Sequence, residues 1–74
     1  MSGFKEVDGK KLQELREAQM LSQRELARVS DTSQALISEL ELDKRRAQPR
    51  TVRKLAKALG VEVSDLLKGR GEDV

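Results

Sequence analysis

Residues 21–42 read LSQRELARVSDTSQALISELEL, and this stretch decides the fold. Ser22-Gln23-Arg24-Glu25 is a Ser-x-x-Glu capping box, in which the Ser22 hydroxyl accepts from the Glu25 amide and the Glu25 carboxylate reaches back to the Ser22 amide. Leu21 and Leu26 flank the box at the spacing of a hydrophobic staple, so a helix opens at Ser22. That helix is short. After Val29 come Ser30-Asp31-Thr32-Ser33, four polar residues that bond their own backbone and favour caps and turns. Ser33 then caps a second helix carrying Leu36, Ile37 and Leu40, with an end near Leu42 or Asp43.

Working outward, Leu12, Leu15 and Ala18 form the stripe of a preceding helix that starts near Asp8 and loses its pattern by Gln19. On the other side, Lys44 to Pro49 is a basic loop, because Pro49 disfavours helical geometry at Gln48. Thr51 is placed to cap a fourth helix with Val52, Leu55, Ala56 and Leu59, which Gly60 ends by adopting the left-handed conformation. Val61, Val63, Leu66 and Leu67 give a short fifth helix closed by Gly69. Apolar residues recur at spacings of three and four from about position 10 to position 67 with no period-two run, so the reading is all-α: a compact five-helix unit. One domain spans 1–74, with an ordered core of about 8–69. Met1 to about Val7 and Arg70 to Val74 lack any core pattern and are expected to fray.

Composition excludes much. The chain has 74 residues, 15 Lys plus Arg, 13 Asp plus Glu, no Cys, no His and one aromatic ring, Phe4. A chain this short buries one modest core, and without Cys or His it has neither disulfides nor thiolate or imidazole zinc sites to staple it. A serine nucleophile would lack its usual base, the carboxylates have neither EF-hand nor paired-acid spacing, and there is no glycine-rich phosphate loop. The expectation is no enzyme and no cofactor. No run approaches a membrane span and no apolar N-terminal stretch resembles a signal peptide, so the expected location is the cytoplasm, away from membranes.

The net charge of +2 conceals a polarised chain. Between residues 44 and 57 lie Lys44, Arg45, Arg46, Arg50, Arg53, Lys54 and Lys57, seven cations with no acid among them. The remaining sixty residues carry eight cations against thirteen acids, a net of −5. Two short helices joined by a tight turn, the second opening with small polar residues, have the layout of a helix-turn-helix. A helix enters a major groove only if one face stays polar and compact while the other anchors it to a core. On the third helix Ile37 and Leu40 point one way, and Gln34, Ala35, Ser38 and Glu39 point mostly the others. The basic loop that follows would present side chains and free amides to a sugar-phosphate backbone.

From Leu12 to Leu67 the order Leu-x-x-Leu-Arg, Leu-Ser-Gln-x-Glu-Leu-Ala, Ser-x-x-x-Ile-Ser-x-Leu-Glu and Leu-Ala-x-Ala-Leu-Gly-Val resembles the Xre-type family of lambdoid phage repressors and Cro proteins, over about three quarters of the chain. The resemblance implies a five-helix domain that binds double-stranded operator DNA as a two-fold homodimer, acting as a transcriptional regulator of repressor type. Carried over by position, it implies that Gln34, Ala35 and Glu39 face base edges with Ser38 beside them. It implies phosphate contacts from Gln23, Ser33, Lys44, Arg45, Arg46 and Arg50. Arg16 matches a helix-one arginine that pairs, in some members, with the glutamate matching Glu41, and this pair is expected to be structural.

Four positions in three places depart from the family's commonest pattern. Asp31 stands in the turn where Gly is frequent, and Asp tolerates the left-handed region better than most residues. Leu42 and Asp43 replace Asn or Arg followed by Gly. Glu39 brings a carboxylate into a groove lined by phosphates, which is unfavourable unless it accepts from a donor such as cytosine N4. The rival reading is a protein-interaction module on the same fold, an antitoxin or adaptor whose protein partner covers Leu36 and Leu42.

Overall fold

The computed structural model describes residues 3–69. Four α-helices follow one another as α1 (Gly9–Ala18), α2 (Gln23–Ser30), α3 (Gln34–Glu41) and α4 (Pro49–Leu59), and a 3-10 turn (Val63–Leu66) closes the order. The all-α expectation holds with one fewer full helix. The expected fifth helix is a single 3-10 turn because Leu67 is already extended (φ −97°, ψ 144°) to form a bridge with Val7.

The core lies where the helices meet: Leu12, Leu26, Ile37, Leu40, Val52, Leu55 and Leu66 are fully buried. α2 packs on α3 and α4, while α1 packs on α3 and the 3-10 turn. Leu15, Leu21 and Leu36 cover the rim of this cluster. Ala18, expected on the buried stripe of α1, is exposed. Arg16 takes the buried position instead, four residues after Leu12, where the side chains of i and i+4 share a face.

Local chemistry sets the helix starts. Asp8 accepts from the Lys11 amide, Ser22 and Glu25 complete the reciprocal capping box, and Ser33 accepts from the Leu36 amide at 3.0 Å. The hydrogen bonds with Ser22, from its backbone amide first and its hydroxyl second, hold the Glu25 carboxyl below the usual range. Thr51 does not cap α4. The helix opens two residues earlier, with Pro49 inside its first turn and Gln48 extended (φ −70°, ψ 151°) before it. Proline's fixed φ and missing N–H suit the first helical position, so the residue read as a barrier is the starter.

Residues 3–7 do not fray. Lys5 and Ala47 exchange two backbone hydrogen bonds, of 2.7 and 2.9 Å, and the Asp8 amide donates to Leu66 O at 2.7 Å. Val7 is thereby sealed in the core at 3% exposure. The arm has no helical periodicity to betray it, because its partners lie 42 and 60 residues away in the chain. The fraying expected of residues 1–2 and 70–74 falls outside the described residues.

Two aspartates adopt left-handed backbone in places where glycine would be unstrained. Asp31 (φ 59°) ends α2, and its carboxylate faces Lys54 Nζ at 3.3 Å. Asp43 (φ 58°) follows α3, and its Oδ1 accepts from the Gly9 amide at 3.0 Å. The second contact explains why the glycine expected at position 43 is absent: the carboxylate satisfies an orphan amide at the start of α1. Gly9 is required at that crossing. A Cβ there would lie 2.5 Å from the carbonyl oxygens of both Leu40 and Glu41.

Candidate nucleic-acid interface

α3 has one face in the core and one in solvent. Ile37 and Leu40 are fully buried, Gln34 and Ala35 are exposed, and Ser38 and Glu39 are half-buried. At 3.6 residues per turn the four outward positions fall within about 140° of arc, opposite the anchoring pair. Leu36 lies between the two faces, half-buried against the core. A surface of this kind fits a major groove: compact, polar and rigidly backed. Ser33 stands at the helix start with its oxygen accepting from Leu36, which leaves the hydroxyl proton for an outside acceptor.

Behind α3 sits a buried ionic joint. Arg16 Nε and Nη2 donate to the two Glu41 oxygens at 2.7 and 3.1 Å, and Nη1 donates to Leu21 O at 2.8 Å. The side chains are only 10% and 5% exposed. The Glu41 hydrogen bond raises the Arg16 pKa, against the opposing effect of burial, so the guanidinium remains charged. Gln23 joins this network. Its Nε2 donates to Glu41 Oε1 at 2.9 Å, so the side chain assigned to a phosphate is turned toward the α1–α3 joint. The joint locks the end of α3 to α1 and to the start of α2, and so fixes the angle at which α3 projects.

The basic loop and α4 lie to one side of the α3 face. Lys44, Arg45, Arg46 and Arg50 are all exposed. Arg45 Nη1 donates to Glu39 Oε1 at 3.0 Å, and Arg46 faces Glu6 on the arm at 3.4 Å. Both pairs are about half solvated and hold their partners weakly. Lys54 is turned away toward Asp31, while Arg50, Arg53 and Lys57 share the exposed side of α4.

The start of α4 differs from the other three. No side chain caps it, no acid stands in its first turn, and Arg50 is there instead. A helix N-terminus carries about half a positive charge, so a cation at this point is unfavourable by about 0.3–1 kcal/mol until an anion arrives. Uncapped amides, an adjacent cationic loop and the Ser33 hydroxyl together offer donors and positive charge to an extended polyanion.

Sequence reasoning brought α3 and the basic loop together but missed the arm, Gly9 and the inward turn of Gln23. The sole aromatic, standing outside every helical pattern, was the available signal for the arm. Among the described residues no cluster of three or more acidic, His or Cys side chains could hold a metal ion. No helix among them is long and apolar enough to cross a membrane.

Comparisons with known proteins agree with this geometry. The helix-turn-helix family model matches residues 12–66. Among solved structures, the chain is similar to the restriction-modification controller protein C.AhdI from Aeromonas hydrophila, with 35% identity over 77% of this chain and 86% of that one, at a TM-score of 0.74. It is similar to the clp gene regulator ClgR from C. glutamicum, with 32% identity over 77% and 74% of the two chains and a TM-score of 0.69. It is also similar to the c2 repressor of P22, solved with a synthetic operator, with 26% identity over 82% and 92% and a TM-score of 0.78. None of the curated proteins matches the chain. The chain belongs to the helix-turn-helix family, and with it stands among DNA-binding transcriptional regulators rather than enzymes.

Proposed function

We propose that the protein is a repressor-type regulator that binds a palindromic or pseudo-palindromic operator as a homodimer, each α3 entering a major groove. The observation that carries this reading is the uncapped, cationic start of α4 and its basic loop, set beside a polar α3 face backed by fully buried Ile37 and Leu40. Gln34 bonds an adenine edge in bidentate fashion, Ala35 rests on a thymine methyl, and Ser38 lies between base and backbone. Glu39 Oε1 is held by Arg45, leaving Oε2 to accept from cytosine N4. Lys44, Arg46, Arg50 and Ser33 grip phosphates, and Arg45 adds its remaining N–H groups. Gln23 contributes its second amide proton. Four outward side chains read only a few base pairs, so two-fold doubling supplies the site length that specificity needs.

Selection from random duplex DNA tests the reading. Enrichment of an inverted repeat, with half-site centres about 34 Å apart, is the expected result; absence of enrichment contradicts it. Gln34→Ala should then lower discrimination at one base pair by about 1–3 kcal/mol, whereas Arg46→Ala should weaken all sequences alike. Identical behaviour of the two variants would overturn the division between reading and gripping. The rival reading as a protein-interaction module keeps one observation in its favour, Leu42 at 60% exposure. Leu36, its other proposed contact, packs on the core.

A further inference from the structure

Phe4 is the one aromatic side chain in the chain, and it is 57% exposed. The arm beneath it is firmly tethered. Lys5 is bound to Ala47 by two backbone hydrogen bonds, and the Lys68 amide donates to Glu6 O at 3.0 Å. From that tether Phe4 borders three adjoining shallow clefts: one shared with Leu36 and Thr51, one with Glu39, Arg45 and Arg46, and one with Pro49 and Arg50. The ring therefore sits where the α3 face, the basic loop and the uncapped start of α4 converge.

The ring stays 57% exposed although arginines border it. A ligand that buries it must offer an apolar surface flanked by negative charge. Deoxyribose between two phosphates has this composition, and the surrounding arginines place the ring at the backbone, along the edge of the α3 arc that Glu39 marks. We infer that Phe4 packs against a deoxyribose of the strand gripped by Arg45, Arg46 and Arg50, adding an apolar contact to an otherwise ionic grip. The inference rests on the proposed reading of the chain as a duplex-DNA binder, which Phe4 itself does not decide.

The test is fluorescence anisotropy of the whole chain with a short random-sequence duplex over a series of salt concentrations. An apolar contact releases no counterions. Phe4→Ala should therefore weaken binding by about fivefold to tenfold per bound subunit at every salt concentration, the loss expected for half a buried phenyl ring, with an unchanged log–log slope. Phe4→Leu should retain most of the affinity, and thermal unfolding of both variants should match the unaltered chain because the ring lies outside the core. Unchanged affinity for Phe4→Ala overturns the inference, as it would if Phe4 instead served a protein partner. So does a loss confined to sequences with one particular base, or a change of slope like that of an arginine variant. If the unaltered chain shows no salt-dependent binding, the parent reading fails as well; if it binds normally and only Phe4→Ala is silent, the parent reading stands.

Discussion

Arg16 with Glu41 and Arg45 with Glu39 bring the same two residue types to 2.7 and 3.0 Å. The first pair is bidentate, shielded to 10% and 5% exposure, and joined by the Leu21 carbonyl and the Gln23 amide. The second is a single contact between side chains 52% and 47% exposed. In the buried pair both charges are largely removed from water, so its members cannot part without stranding a charge. In the exposed pair water replaces either partner at little cost, so both remain available to a ligand. Glu41 and Glu39 are two residues apart on α3, and this alone sends one into the scaffold and the other toward the groove.

Breaking the first pair should have the largest effect. Glu41→Ala leaves the buried Arg16 guanidinium only the exposed Glu17 carboxylate at 3.7 Å and should lower the unfolding free energy by about 3 kcal/mol, read by urea denaturation. Arg16 cannot escape by deprotonation, because a guanidinium keeps its proton throughout the ordinary pH range even without Glu41. A change under about 1 kcal/mol would mean that the joint is no more important than a surface pair.

The same joint can be stressed from the other side. Gly9→Ala sets a methyl group 2.5 Å from two backbone carbonyl oxygens of α3, neither of which can rotate away as a side chain would. It should destabilise by about 1–3 kcal/mol, the range of core overpacking, although alanine is the better helix former. Stabilisation on this substitution would show that α1 and α3 are not pressed together there.

Breaking the exposed pair should barely move stability. Arg45→Ala should shift it by no more than about 0.5 kcal/mol, yet weaken duplex binding, because it removes a phosphate partner and leaves Glu39 uncompensated in the groove. A double-mutant cycle sharpens this: in the Glu39→Gln background, Arg45→Ala should reduce DNA affinity less. Additive losses would separate Glu39 from Arg45.

What was legible in the sequence follows the range of the interactions. The capping box at Ser22 and Glu25, the Ser33 cap, the left-handed Asp31 and the Gly60 terminator are settled within four residues, and each is found as read. The polar arc of α3 was equally legible, since helical period alone separates Gln34 and Ala35 from Ile37. Gly9 looked unremarkable in sequence because its reason lies in the carbonyls of residues 40 and 41. Asp43 looked like a defect because the amide it satisfies is 34 residues away. The arm was invisible for the same reason. In α1, period predicted Ala18 to be buried, but the crossing with α3 buries Arg16 and leaves Glu17 and Ala18 in water.

Lys44, Arg45, Arg46 and Arg50, four of the seven cations that turn a nearly neutral chain into a polarised one, are held to grip the phosphate backbone beside α3. A salt titration of duplex binding followed by fluorescence anisotropy tests this most directly. With about four phosphates neutralised per subunit, the dimer should give a log–log slope near −7. A slope near zero would contradict it.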